Sequence, residues 1–196
     1  SYANCGLPYY IGDVITDAEE LTLQTPESFY SRFRVDMRVH HEVTAIHPER
    51  KTVSVKNLKT GEEFEESYDK LILSPGAKPT QPRFFGADLD KVFTIRTVED
   101  TLRIKNYINE NHPKSAVLAG GGFIGLELAE NLRELGMDVT VVEYAKQLMS
   151  LFDSDMAAFI HNEMRKHGVK LVLGRAVEGI EEKDGGVKVL LKDDVP

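Results

Sequence analysis

Residues 115–143 of this 196-residue chain read SAVLAGGGFIGLELAENLRELGMDVTVVE, and no other stretch restricts the possible folds so strongly. A short apolar run, Ser115 to Ala119, leads straight into Gly120, Gly122 and Gly125 in G-x-G-x-x-G spacing, and a helical pattern follows. That succession predicts strand, tight turn and helix, with the turn shaped around a dinucleotide pyrophosphate. Gly120 permits the turn, Gly122 lets the backbone approach the phosphates, and Gly125 lets helix and strand pack, because a Cβ would obstruct each. The phosphates would lie at the positive end of the helix dipole. Phe123, Ile124, Leu128, Leu132 and Leu135 recur at helical spacing as far as Gly136, a suitable stop. Asp138 to Val142 then reads as a second buried strand, ending at Glu143 and closing a βαβ unit. A carboxylate eighteen residues past Gly125 accepts hydrogen bonds from an adenosine ribose and repels a 2′-phosphate, which predicts NADH rather than NADPH. The alternative is a glycine-rich turn that serves packing alone.

The segments on either side are read by the same rules. Cys5 sits in SYANCGLPYYIG, among turn-forming residues where a helix can begin, and a helix N-terminus stabilises a thiolate. Locally two readings stay open, a reactive thiol and a buried free cysteine acting as a small apolar residue. Thr25-Pro26-Glu27 is a helix start, followed by PESFYSRF. Val35 to Ile46 alternates as a half-exposed strand, with His40 and His41 on opposite faces. A turn at 48–51, Thr52 to Lys56 and Glu62 to Tyr68 complete a β-meander. Its glutamates (Glu62, Glu63, Glu65, Glu66) are expected to be a solvated face. DKLILS (69–74) reads as a fully buried parallel strand, ending in Pro75-Gly76. Pro79, Pro82 and Gly86 then suggest a domain boundary. Helices are expected at 97–111 and 155–167, a third parallel strand at 169–173, and a hairpin around Asp184-Gly185-Gly186.

Composition limits function more than fold. A net charge of −8 argues against a nucleic-acid or anionic-membrane surface. No apolar run reaches a membrane span, no signal-peptide pattern is present, and one cysteine cannot form an internal disulfide, so a cytoplasmic protein is expected. The six histidines show no metal-ligand spacing, and no metal is expected.

Taken together, Ser1 to Gly12 (SYANCGLPYYIG), Tyr68 to Ala77 (YDKLILSPGA) and Gly120 to Glu127 (GGGFIGLE) resemble the single-cysteine branch of the pyridine nucleotide-disulfide oxidoreductases, across all 196 residues. Within it the chain is similar to the coenzyme A disulfide reductases, coenzyme A persulfide reductases and NADH oxidases. The resemblance implies an α/β, Rossmann-like, three-layer FAD/NAD(P)-binding fold with a parallel sheet and a β-meander. It implies a partial FAD-binding domain at 1–90, carrying the redox cysteine, and an NAD-binding domain at 91–196 short of its last strand. Against the family pattern the chain reads as an internal fragment, expected to be inactive alone, of a longer homodimeric protein.

The same resemblance implies residue roles. Cys5 becomes the redox-active thiol facing the flavin, with Ser1 and Asn4 beside the coenzyme A sulfur. Val43 would meet the FAD adenine through its backbone, and Ser74, Pro75 and Gly76 would run along the flavin nucleotide. Phe123 matches the aromatic that gates the nicotinamide pocket, with Ile124 beside it in the cofactor-binding turn, and Glu127 matches the acid near the nicotinamide amide. Arg32 and Arg34 are the candidates to hold coenzyme A phosphates, or are surface arginines. Tyr10 stands where the two-cysteine branch has its second cysteine, which excludes an internal dithiol. The implied activity passes electrons from NADH through FAD and Cys5 to a coenzyme A disulfide or persulfide. The alternatives are an NADH oxidase or peroxidase cycling through a cysteine sulfenic acid, and a non-catalytic NAD-binding redox sensor.

Overall fold

A computed structural model describes residues 2–80 and 83–192. In chain order it contains a 3₁₀ turn at Asn4–Gly6, α1 (Leu7–Ile11), a second 3₁₀ turn at Ala18–Leu21, α2 (Pro26–Phe33), β1 (His41–His47), β2 (Thr52–Asn57) and β3 (Glu63–Ser67). Then come α3 (Val98–Asn111), β4 (Ser115–Ala119), α4 (Phe123–Glu134), β5 (Asp138–Glu143), α5 (Ser154–Lys166), β6 (Lys170–Leu173), β7 (Ala176–Lys183) and β8 (Gly186–Lys192). Contacts divide the chain into two compact units, Leu23–Ala77 and Tyr2–Thr22 with Lys78–Pro196. The cut falls where the Pro/Gly-rich stretch begins.

In the Leu23–Ala77 unit, α2 starts in a capping box: the Thr25 hydroxyl accepts from the Ser28 N–H and the Ser28 hydroxyl from the Thr25 N–H. β1, β2 and β3 form the expected antiparallel meander, in the register Val43↔Val55↔Phe64, with Val53 and Val55 buried. Its acidic face is solvated, Arg38 meeting Glu66 and Arg50 meeting Glu65 at 2.7 Å each. Two expectations fail in this unit. β1 begins at His41, not Val35, and His40 lies in a left-handed turn (φ 59°), so the two histidines do not share a strand. Alternation continues upstream, but β2 ends at Asn57, opposite His41, and the ladder goes no further than the His40 carbonyl, which accepts from the Leu58 N–H at 2.8 Å. Nor is DKLILS a buried strand: the chain bends at Asp69 and Lys70 and has no ladder partners through Ser74, with Ile72 87% and Leu73 66% exposed. A parallel strand exists only through its neighbours' N–H and C=O groups, and no described strand supplies them.

In the other unit, β4, β5 and β6 pair in parallel in that order, with Val117↔Thr140 and Val141↔Leu171 in register. α4 lies on β4 and β5, and α5 on β6. The core gathers Leu128, Ala129 and Leu132 of α4, Val139 and Val141 of β5, Met137, Leu148, Val169 and Ile11. Each Val, Leu, Ile or Met side chain among them contributes roughly 1.5–3 kcal/mol by leaving water. α3 begins in a second capping box, between Thr97 and Asp100. α1 packs against both α3 and α4, which ties the N-terminal segment to this unit. Lys105 of α3 is the polar tie: its Nζ donates to the Ile11 carbonyl at 2.9 Å, at the end of α1, and meets Asp13 Oδ1 at 2.6 Å. β7 and β8 close through Asp184-Gly185, both at positive φ, the two-residue turn that the local sequence favours. The α/β class, with a parallel sheet and a separate meander, is as expected.

Candidate functional site

The glycine turn joins β4 to α4. The Gly120 N–H reaches the Val142 carbonyl at 2.8 Å, carrying the pairing with β5 one residue past β4. A Cβ on Gly125 would overlap the Gly120 carbonyl oxygen, so that position admits only glycine. Gly122 is the N-cap of α4 and offers no side chain to its first turn, and the space where its Cβ would stand is open. A twelve-residue helix thus presents its positive end to an unobstructed surface, which fits a dinucleotide pyrophosphate. Glu143, at the end of β5, is half-buried. Its two carboxylate oxygens accept from the Gly121 N–H at 2.5 Å and the Ala145 N–H at 2.7 Å. A carboxylate has about four acceptor positions, so these bonds leave room for ribose hydroxyls.

Cys5 lies exposed in the 3₁₀ turn before α1, so it does not fill the core as the bland alternative required. Asn4 is also exposed, and its Oδ1 accepts from Arg96 Nη1 at 2.8 Å. The Tyr2 hydroxyl donates to the Arg96 carbonyl, and the Ala3 N–H to the Leu21 carbonyl, so the segment carrying the thiol is anchored on both sides. On α1, burial holds the Tyr9 hydroxyl above the usual tyrosine range, with Glu127, Glu130 and Cys5 pushing the same way. That coupling makes Cys5, Tyr9 and the half-buried Glu127 electrostatic neighbours within one unit. Phe123 and Ile124 are 59% and 53% exposed, so the buried stripe of α4 begins at Leu128 and not at its first turn. Phe123 and Glu127 instead line a groove of about 520 Å³ between α4 and α5, with Met149, Phe152, Ile160 and Met164.

The other predicted residues belong to the Leu23–Ala77 unit. Val43 is exposed on β1. Ser74, Pro75 and Gly76 are exposed, with Gly76 at φ +75°. Arg32 stacks on Phe33 and Arg34, in the left-handed cap of α2, on Tyr30. Ser1 lies outside the described residues. Sequence reasoning missed Arg96, Tyr9, Lys105 and His161. A signal existed for the last two: Thr101 and Lys105 share a helical face, as do Ala157 and His161, each pair four residues apart. Among the described residues no His/Cys/Asp/Glu group is placed to hold a metal ion, and no helix is long and apolar enough to cross a membrane.

Known proteins are similar to this chain in sequence and in fold. The chain is 42% identical over 180 residues to a coenzyme A disulfide reductase of Staphylococcus aureus, an alignment covering 92% of this chain and 40% of that protein. It superposes on reduced CoADR-RHD from Bacillus anthracis with a TM-score of 0.89 at 50% identity, over 98% of this chain and 34% of the other. An NAD-dependent persulfide reductase from A. fulgidus gives a TM-score of 0.87 at 32% identity, over 97% and 36% of the two chains. The chain therefore spans about 40% of the length of the curated relatives it matches. Residues 1–195, holding both the exposed cysteine and the glycine turn, match the pattern of one family of FAD- and NAD(P)H-dependent enzymes. By that match and these relatives, the chain belongs to the pyridine nucleotide-disulphide oxidoreductase family.

Proposed function

We propose that the whole protein passes electrons from NADH, through FAD and Cys5, to a small disulfide or persulfide of the coenzyme A type. The observation that carries this reading is the exposed Cys5, on a segment packed against the helix that starts at the glycine turn. Relatives named for coenzyme A disulfide and persulfide reduction support the substrate class. Residues 1–90 would then form the FAD-binding part and 91–196 the NAD-binding part of a cytoplasmic homodimer.

In this reading the turn from Gly120 to Gly125 holds the NADH pyrophosphate on the α4 N-terminus, and Glu143 selects the unphosphorylated ribose. Phe123 covers the nicotinamide and Glu127 positions its amide. Val43 would meet the FAD adenine through its backbone, and Ser74–Gly76 would run along the flavin nucleotide. Asn4 and Ser1 are the proposed contacts of the coenzyme A sulfur, and Arg32 and Arg34 are the separate candidates to bind its phosphates. The Cys5 thiolate attacks one sulfur of the substrate, forming a Cys5–substrate disulfide while the other sulfur leaves as a thiolate and takes a proton. When bound, FAD and NADH would supply the hydride and electron pair that this disulfide needs, and Cys5 would then regain its thiolate as the second thiol leaves. The test is Cys5→Ser in the full-length protein. It should still bind NADH and FAD and accept hydride, and should lose reduction of coenzyme A disulfide and persulfide. Retention of most of either activity would refute the assignment.

A further inference from the structure

The segment after β5 contains a polar latch that neither the glycine motif nor the terminal acid announces. Gly121 has both peptide groups held: its N–H donates to Glu143 Oε2, and its carbonyl accepts from the Met149 N–H at 2.9 Å. Leu148, the preceding residue, is wholly buried, and a Cβ on Gly121 would overlap its side chain. The Leu148 N–H donates to Nε2 of His161 on α5 at 3.0 Å. Since Nε2 accepts, the imidazole is neutral and Nδ1 carries its proton. His161 thus holds Leu148, Leu148 and Met149 hold Gly121, and Gly121 is the centre of the glycine turn.

We propose that neutral His161 is a positioning residue for NADH, locking the 144–152 segment onto the glycine turn, and that protonating it releases the turn and weakens NADH binding. The proposal rests on the dinucleotide reading of that turn. Protonated, the ring would aim an Nε2–H at the Leu148 N–H, replacing an acceptor with a second donor. Burial, then the positive charge of Arg165 one turn along α5, lowers the histidine below its usual range, so the ring stays neutral near pH 7. Other titratable groups on the neighbouring elements include Tyr144, Lys146 and Asp153 of the connecting segment, Glu143 of β5 and Lys170 of β6.

The experiment titrates NADH into the purified protein between pH 8 and 5.5, for wild type, His161→Gln and His161→Leu, with amide exchange at Gly121 and Leu148 read in parallel. Glutamine can place an amide oxygen where Nε2 stands and does not titrate. At pH 8 wild type and His161→Gln should bind alike, and His161→Leu about tenfold more weakly, the scale of one hydrogen bond. On acidification wild type should lose affinity and amide protection together, while His161→Gln keeps both longer. Equal affinity and protection in wild type and His161→Leu would overturn the proposal. So would a common pH curve for wild type and His161→Gln, which would assign the titration to another group. If folded wild type bound no NADH at pH 8, the dinucleotide reading would fail instead, and exchange at Leu148 and Gly121 would still decide whether the latch exists.

Discussion

At the scale of single residues, exposure separates roles that sequence patterning merges. Phe123 lies on the apolar helical repeat, yet it is 59% exposed and lines the α4–α5 groove. Phe123→Ala should therefore leave stability within about 0.5 kcal/mol of wild type, as surface substitutions do. In the full-length protein it should change the rate of flavin reduction by NADH, seen by stopped flow. A fall of several degrees in Tm would return the ring to the core. Arg96 is the converse case, an unremarked arginine whose guanidinium fixes the Asn4 amide beside Cys5. Arg96→Ala should raise KM for a coenzyme A disulfide severalfold, the loss of about 1 kcal/mol, and leave NADH affinity unchanged. Equal changes in both constants would mean that Arg96 serves only the packing of the segment.

Helices and strands are where local sequence speaks most directly, and the capping boxes are the clearest instance. Thr97 accepts from the Asp100 N–H, and Asp100 from the Thr97 N–H. Thr97→Ala should cost about 1 kcal/mol, read as a lower urea midpoint at constant m. Lys105, only 9% exposed, joins two elements, carrying the Ile11 carbonyl and Asp13 on α3. Lys105→Ala leaves that carbonyl unpaired at the end of α1 and should cost about 1–3 kcal/mol. Faster amide exchange confined to α1 and α3 would mark the loss. Unchanged exchange there would show that apolar packing alone seats α1. The failures at this scale are equally specific. DKLILS has the composition of a buried strand and the exposure of a loop, because ladder partners and not composition make a strand.

At the scale of the whole molecule, two properties follow from the second strand of the parallel sheet and the segment after it. Glu143 should give the full-length protein at least a tenfold preference in kcat/KM for NADH over NADPH, the order expected when a carboxylate faces a phosphate. Equal values would remove the acid from the specificity site. Stability should also begin to fall at mild acidity. The folded pKa of His161 lies below its ordinary 6.5, so the unfolded chain takes the proton first. Its contribution is complete above about pH 6.5 and is lost as pH falls through the folded value. Glu163, held below the usual carboxylate range first by the His167 hydrogen bond, acts only at lower pH. Denaturant curves from pH 8 to 5 should show the early decline in wild type and not in His161→Gln.

Sequence by itself determined the βαβ unit, its glycine turn and terminal acid, the meander, the helix caps and the hairpin turn, because each depends on residues close together in the chain. Periodicity, a missing Cβ and a capping hydroxyl act over a few residues, and no distant partner is needed to read them. Tertiary structure decided the rest. It placed the thiol's segment on α3 and α4, turned Phe123 outward, set Lys105 under α1 and brought His161 to Leu148. It also left 69–74 without ladder partners. Those outcomes depend on which surfaces meet across ninety or so residues in the case of Lys105 with Ile11, and a short window of sequence holds only one side of each contact.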